Sequence, residues 1–254
     1  MGAVALWSFV GAGSLIVGAL IAFWFDVSKR MLGLIMGFGA GTLLSAISFD
    51  LLLPSYASAG TLSIVLGFLA GALTFWAGDR ALSRRSGGAD PAAGQGGSGP
   101  ALVLGAFLDG VPESVAIGLT MLGGSPVSVA VVVAVFLSNI PEGLAATMSL
   151  SRGGMSRTRI LLMWIIITVI CVLAAVLGYT LLAGASPGLV SFIQTFAAGA
   201  ILTMLANTMM PEALCPRRPR GRPGHGSRIP ARQRPGNTRW LTHLCPCVKP
   251  TARG

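Results

Sequence analysis

The sequence predicts an all-α protein: a polytopic transmembrane helical bundle of seven spans, followed by a basic tail. Three observations predict it. The 254 residues are 53% hydrophobic and 10% charged, with a mean hydropathy of +0.77, whereas a soluble domain carries roughly 25% charged residues. Seven apolar stretches reach the about 20 residues a helix needs to cross roughly 30 Å of hydrocarbon. Finally, the net charge of +10 is unevenly placed: residues 1–214 hold 8 basic and 8 acidic side chains, so the whole excess lies in 215–254. The pI near 11.0 therefore describes the tail, and no nucleic-acid partner is expected for the body.

The spans are expected at about 4–25, 31–53, 62–82, 101–122, 127–150, 159–183 and 188–210. The first does not read as a cleaved signal peptide, because its apolar run is long and no Lys or Arg precedes Lys29. Backbone groups in lipid must bond within their own segment, so the spans are helices. The alternating strands of a β-barrel are missing from the pattern. Basic residues then set the orientation. Lys29 and Arg30 follow the first span, Arg80, Arg84 and Arg85 the third, and Arg152, Arg157 and Arg159 the fifth. The connections 54–61, 123–126 and 184–187 hold no Lys or Arg. Positive charge stays cytoplasmic, so the expectation is a multi-pass protein of the plasma or inner membrane, N-terminus outside and tail inside.

Composition divides the chain into helices 1–3 (1–85), a flexible cytoplasmic Gly-rich linker (86–100), helices 4–7 (101–212) and a basic, disordered cytoplasmic tail (213–254). In the second span Gly33, Gly37 and Gly41 recur every four residues, a spacing that lets helix backbones approach.

Asp50, Asp109, Glu113 and Glu142 fall inside spans, and Glu212 ends the seventh. An uncompensated charge at the centre of a membrane helix costs about 3 kcal/mol or more, so such acids mark ion or substrate paths. No Lys, Arg or His lies within a span to neutralise them. Either the carboxyls are protonated, or a transported cation visits them.

Two internal echoes place these acids in a pattern. FLDGVPESVA at 107–116 matches FLSNIPEGLA at 136–145. Each copy sets a polar residue four positions before its glutamate, Asp109 before Glu113 and Ser138 before Glu142, on one helix face. Pro112 and Pro141 lack an N–H, so helix kinks are expected there, with the carbonyls of Leu108 and Leu137 freed beside a carboxylate. FGAGTLLSAISFDLLLP at 38–54 likewise resembles FAAGAILTMLANTMMP at 196–211, and in both a polar residue, Asp50 or Asn207, precedes a proline by four.

The duplicated Pro-Glu helices, the linker after three spans and the outside N-terminus resemble the ZIP family of divalent-metal transporters. The resemblance covers residues 1–214 and is most specific at LDGVPES and LSNIPEG. It implies eight helices arranged three-two-three, with a metal site between the fourth and fifth. The family pattern is His-Asn-x-Pro-Glu-Gly on helix four and polar-polar-x-Pro-Glu-Gly on helix five. Asp109 then takes the histidine position, Gly110 the asparagine position and Glu113 the helix-four glutamate, while Ser138, Asn139 and Glu142 take the matching helix-five positions. Gly110 supplies no side chain, span six supplies no acid, and the linker has no histidine for collecting metal.

The implied metal ligands are Asp109, Glu113, Ser138, Asn139 and Glu142. An oxygen set suits Mn²⁺ and Mg²⁺ as well as zinc; the resemblance tips the expectation to zinc, with manganese or iron also accepted. The divalent cation is substrate, and no prosthetic group or catalytic residue is expected. The mechanism is passage of the ion toward the cytoplasm, with Asp50 at the outer entrance and Asn207 and Glu212 on the pathway. If the carboxyls are neutral when empty, binding releases protons and uptake falls at low external pH. The alternative is a proton-coupled secondary transporter of a non-metal solute. An intramembrane aspartyl protease fits less well, since Asp50 and Asp109 have unlike surroundings. Lipid is the expected environment, and a second copy of the chain is a candidate partner.

In the tail, Cys245 and Cys247 with His225 and His243 read more readily as part of a segment contacting anionic lipid than as a zinc site. The abrupt Arg/Pro-rich composition after Glu212 stands where the resemblance demands an eighth helix. The expectation is an altered or out-of-frame terminus that leaves a face of spans two and seven uncovered.

Overall fold

The computed structural model describes residues 1–85 and 99–214. Residues 86–98 of the expected linker, and the tail from 215 with its cysteines and histidines, lie outside the described residues. Among those described, every regular element is helical. The helices are α1 (Gly2–Trp24), α2 (Lys29–Ala46), α3 (Leu53–Arg85), α4 (Gly99–Thr120), α5 (Val129–Arg152), α6 (Arg157–Leu182), α7 (Pro187–Met204) and α8 (Met210–Leu214). Gly99 and Pro100 thus open α4 rather than end the linker.

Among the described residues, six segments are long and apolar enough to cross a membrane: Gly2–Trp24, Arg30–Ser58, Thr61–Leu82, Val129–Arg152, Arg157–Leu182 and Pro187–Met209. The expected fourth span is the 22-residue helix α4. It carries Asp109 and Glu113.

Helix starts follow from serine chemistry. Ser28, Ser128 and Ser186 accept hydrogen bonds from the N–H groups of Met31, Val131 and Leu189 at 3.3, 3.3 and 3.4 Å, satisfying donors that the first turn leaves without carbonyls. Pro187 sits at the first position of α7, where its missing N–H costs nothing. After α4 the chain turns through Gly123 and Gly124 at φ 69° and 79°, a left-handed conformation that favours glycine.

The expected loop 54–61 is helical in its backbone, since α3 begins at Leu53. The chain still reverses there. Gly67 packs on Phe192 and Gly71 on Phe196, so this part of α3 runs parallel to α7. Extended backwards as a straight helix, Ser55 would fall beyond the first residue of α7, yet its hydroxyl donates to Gln194 Oε1 at 3.0 Å. The reversal lies between Ser55 and Gly67.

The same reasoning gives the other directions. Gly11 meets Val135 and Gly18 meets Ile140, so α1 and α5 are parallel; Gly110 meets Cys171 and Gly118 meets Ala175, so α4 and α6 are parallel. Gly39 meets Ser138 while Asp50 accepts from Ser128, so α2 runs antiparallel to α5. Successive long segments alternate in direction. The ends of α1, α3 and α5 and the starts of α2, α4 and α6 then share one end of the bundle. Lys29, Arg30, Arg80, Arg152, Arg157 and Arg159 belong to that end, where Arg157 lies over the Phe23 ring at 5.4 Å.

Glycines bring the parallel pairs together. Gly18 lies against the carbonyl of Ile140 and Gly143 against that of Leu15; Gly71 lies against the carbonyl of Phe196 and Gly199 against that of Phe68. In each pair the glycine stands three residues after the carbonyl its partner covers, so each helix fits the other reciprocally. Close backbone packing of this kind replaces the hydrophobic effect where the surroundings are as apolar as the core. The Gly33/Gly37/Gly41 repeat works differently from expectation. Gly33 and Gly37 face Ala213 of α8, and Gly41 has open space, whereas the close approach in α2 is at Gly39. Packing of α2 against α5 selects the helix face that carries Gly39, which the spacing alone does not reveal.

The core is one cluster of Leu43, Ile47, Ile117, Val135, Ile201 and Met204 with their neighbours, and a second of Leu15, Ile160, Trp164 and Cys171 between α1 and α6. The Trp164 indole donates to Thr147 Oγ1 at 2.9 Å, both residues buried. Thr147→Val keeps the shape and strands the N–H, so a loss of about 1–3 kcal/mol is expected. Thermal unfolding in detergent, compared with Thr147→Ser, measures it.

Candidate functional site: a buried polar cluster between two wide helical turns

Asp109 and Glu113 project from the middle of α4, one turn apart, and are respectively 7% and 0% exposed. Ser138 and Asn139 of α5 are equally buried, at 0% and 1%. The groups that act on the Glu113 carboxyl are Asp109 on its own helix and the side chains of Asn139 and Ser138 on the next. Neither carboxyl oxygen of Glu113 closes a hydrogen bond, and Asn139 Oδ1 is also buried without one. The other ends of these polar residues are anchored. Asn139 Nδ2 donates to the Gly11 carbonyl of α1 at 3.3 Å, and the Ser138 hydroxyl donates to Val135 O at 3.0 Å. Buried acceptor oxygens without a partner thus gather on α4 and α5. Buried polar atoms in proteins are nearly always hydrogen-bonded, so this group stands out.

Glu142 sits one turn beyond Ser138 on α5 and is half-buried. Among the described residues, no three His, Cys, Asp or Glu side chains stand close enough together to hold a metal ion. Asp109 and Glu113 of α4 and Ser138 and Asn139 of α5 are all buried.

Pro112 and Pro141 lie inside α4 and α5, which both continue as α-helix. The Leu137 carbonyl that Pro141 frees lies against α2. A Cβ on Gly39 would stand 3.1 Å from it, so the α2 backbone covers that carbonyl. Glycine at 39 lets α2 close on the α5 backbone at this level.

The widened turns occur at the other echoed prolines. Ile47–Leu52 and Leu205–Met209 are π-helical, with the N–H of Leu53 bonding to Ser48 O and that of Met210 to Leu205 O. Pro54 and Pro211 cannot bond the carbonyls of Asp50 and Asn207, and a wide turn is one way to accommodate a missing donor. Such turns are frequent at functional sites. Both contain the polar residue of the echo: Asp50, half-buried, and Asn207, exposed.

They lie at opposite ends of the bundle. Ser128 donates to Asp50 Oδ1 at 2.6 Å, at the end of the 121–128 connection. Asn207 precedes α8, which packs against Gly33 at the start of α2. Glu212 lies in α8. From Gly39, level with Ser138, to Asp50 is eleven residues, or about 16 Å of helix. That is close to half of the roughly 30 Å hydrocarbon thickness, which puts the Ser138 level far from either end. Asp50 borders an open cavity of about 500 Å³, also lined by Thr120, Ser128, Ser191 and Gln194. Because Ser128 both caps α5 and holds Asp50, Ser128→Ala is expected to destabilise the protein by about 1–2 kcal/mol. Ser128→Thr should recover most of it in the same unfolding measurement.

One further buried residue neighbours Gly110. Cys171 of α6 is 0% exposed, and the space beside Gly110, where a Cβ would stand, is 2.8 Å from its Sγ. Ser114 and Glu113 are the polar groups that act on this thiol.

No family model matches the chain, and no curated protein matches it significantly.

Proposed function

We propose that this chain is a membrane transporter that moves divalent metal cations, zinc foremost and manganese or iron in addition, toward the cytoplasm through a carboxylate site between α4 and α5. One observation carries the reading: Glu113 is fully buried, its two carboxyl oxygens lack hydrogen-bond donors, and Asp109, Ser138 and Asn139 surround it. Charged, this carboxyl is unstable in an apolar interior; neutral, it still leaves acceptors unsatisfied. A dehydrated cation satisfies all of them at once. In this reading Asp50 receives the ion from the cavity, Glu113 and Asp109 bind it at mid-depth, Asn139 and Ser138 complete the oxygen shell, and Asn207 and Glu212 line the departure. Glu142, one turn beyond Ser138 on α5, adds its carboxylate to the same ion. The gathering of basic residues at one end supports a cytoplasmic assignment for that end.

The test is uptake into vesicles holding the full chain, with Zn²⁺, Mn²⁺ and Fe²⁺ offered separately and together. Saturable uptake that Glu142→Ala reduces at least about tenfold is expected. No uptake of any of the three ions refutes the reading. The second reading, proton-coupled transport of a non-metal solute, draws on the 500 Å³ cavity, which has room for a small polar molecule. It predicts proton movement in these vesicles without any metal dependence.

A further inference from the structure

The cavity of about 500 Å³ beside Asp50 contains a carboxylate whose counter-charge its own walls do not supply. Among the described lining residues there is no Lys, Arg or His, and Asp50 alone is titratable. Ser128 donates to Asp50 Oδ1 at 2.6 Å, which fixes the carboxylate at the wall. Hydroxyl protons nearby are already committed, that of Thr120 to Ile117 O at 2.7 Å and that of Ser58 to Pro54 O at 2.8 Å. Thr120 Oγ1 in turn accepts from the Ser128 N–H at 3.2 Å. What Asp50, Ser58 and Ser128 offer an occupant is lone pairs, so the occupant must bring the donors. Phe49, 67% exposed, adds a ring to this acceptor edge, and aromatic faces attract cations as well. Much of the remaining wall is apolar, with Leu119, Leu122, Leu182, Pro187 and Val190. A hydrated inorganic ion gains nothing from such a wall, whereas an organic body does. The volume lies in the range of small-molecule sites.

We infer that this cavity binds a small organic cation, a primary ammonium carried on a compact apolar body, with Asp50 as its counter-ion. An ammonium has three N–H donors and no acceptor, the complement of a carboxylate among hydroxyls whose protons are spent. The Phe49 ring flanks the charge, and the body of the ligand lies against the apolar wall. Binding is non-covalent, and it does not rest on the metal-transport reading. Under that reading, an occupant stands where the ion approaches Asp50 and slows its entry.

The test is calorimetric titration of the full chain in detergent with 2-phenylethylammonium, at low salt and neutral pH, with protein-free detergent as the blank. The neutral counterpart of similar shape, 2-phenylethanol, is titrated beside it. Saturable ammonium binding with a Kd of about 1 mM or below is expected. The alcohol lacks the charge and should bind at least about tenfold more weakly. Asp50→Asn keeps the shape and an acceptor for Ser128, and is expected to weaken ammonium binding about tenfold or more. Ala183→Trp narrows the cavity from the connection after α6 without altering its charge, and should weaken ammonium binding as well. This second variant decides the matter where Asp50→Asn does not elute as a folded species. Equal affinities for ammonium and alcohol overturn the inference, as does ammonium affinity unchanged in both variants. Absence of saturable ammonium binding overturns it too, whatever the chain does with metal. Metal uptake is not a readout of this experiment, so failure of the transport reading is seen separately, in the vesicles.

Discussion

Glu113→Gln is expected to lower divalent-metal uptake by about 100-fold while leaving the helical fold intact. The substitution keeps the size and shape of the side chain, and the residue is fully buried in a space that already tolerates a carboxyl with no donors. What disappears is the negative charge opposite the ion. A carboxylate uncompensated inside a membrane helix costs about 3 kcal/mol, and a bound cation offsets at least that much. Losing this stabilisation corresponds to about two powers of ten in rate or affinity. Asn139→Ala should be milder, about tenfold, since it removes a neutral donor and acceptor that also tethers α5 to Gly11 of α1. The pair is informative together. A structural role for the polar cluster makes Asn139→Ala the more damaging change, because it breaks a helix-to-helix hydrogen bond, whereas a transport role reverses the order. Initial rates of metal uptake and circular dichroism on the same preparations separate them.

The second large effect concerns assembly. Gly143→Ala and Gly71→Ala are each expected to destabilise the bundle by about 3 kcal/mol or more, enough to prevent recovery of folded protein. An added methyl group at Gly143 would run into the Leu15 carbonyl, and one at Gly71 into the Phe196 carbonyl. These obstacles are backbone, so no rotamer change relieves them, and the helices must separate along the whole interface. Gly41→Ala is the control, with nothing within 4 Å of its added Cβ. It is expected to be neutral or slightly stabilising, because alanine favours helix over glycine by about 1 kcal/mol. Size-exclusion profiles and thermal unfolding in detergent measure the contrast. Equal behaviour of Gly41→Ala and Gly143→Ala would overturn the packing assignment.

Much of the architecture was legible because membrane helices announce themselves locally. Apolar runs, serines at Ser28, Ser128 and Ser186 and glycines at Gly123 and Gly124 mark where helices begin and turn, and each signal depends on only a few neighbouring residues. The polar echo around Glu113 and Glu142 was legible for the same reason. Kinks were harder to place. All four echoed prolines lose the same hydrogen bond, yet only the turns before Pro54 and Pro211 widen, while α4 and α5 continue as α-helix through Pro112 and Pro141. A missing donor can be absorbed in several ways, and contacts with other helices choose among them, as Gly39 does at the Leu137 carbonyl.

The sequence by itself determined that the chain is helical and fit for lipid, which residues are acidic in an apolar setting, and that two helices carry the same motif. These properties belong to single segments, where hydropathy and hydrogen-bonding capacity are fixed by composition. Only the tertiary structure decided that Glu113 is fully buried near Ser138 and Asn139, and that Cys171 lies against Gly110. Those facts depend on the rotation and depth of one helix against another. That fit is set by backbone contacts at glycines such as Gly18 and Gly143, and residue spacing along one helix holds no record of where the next will touch it.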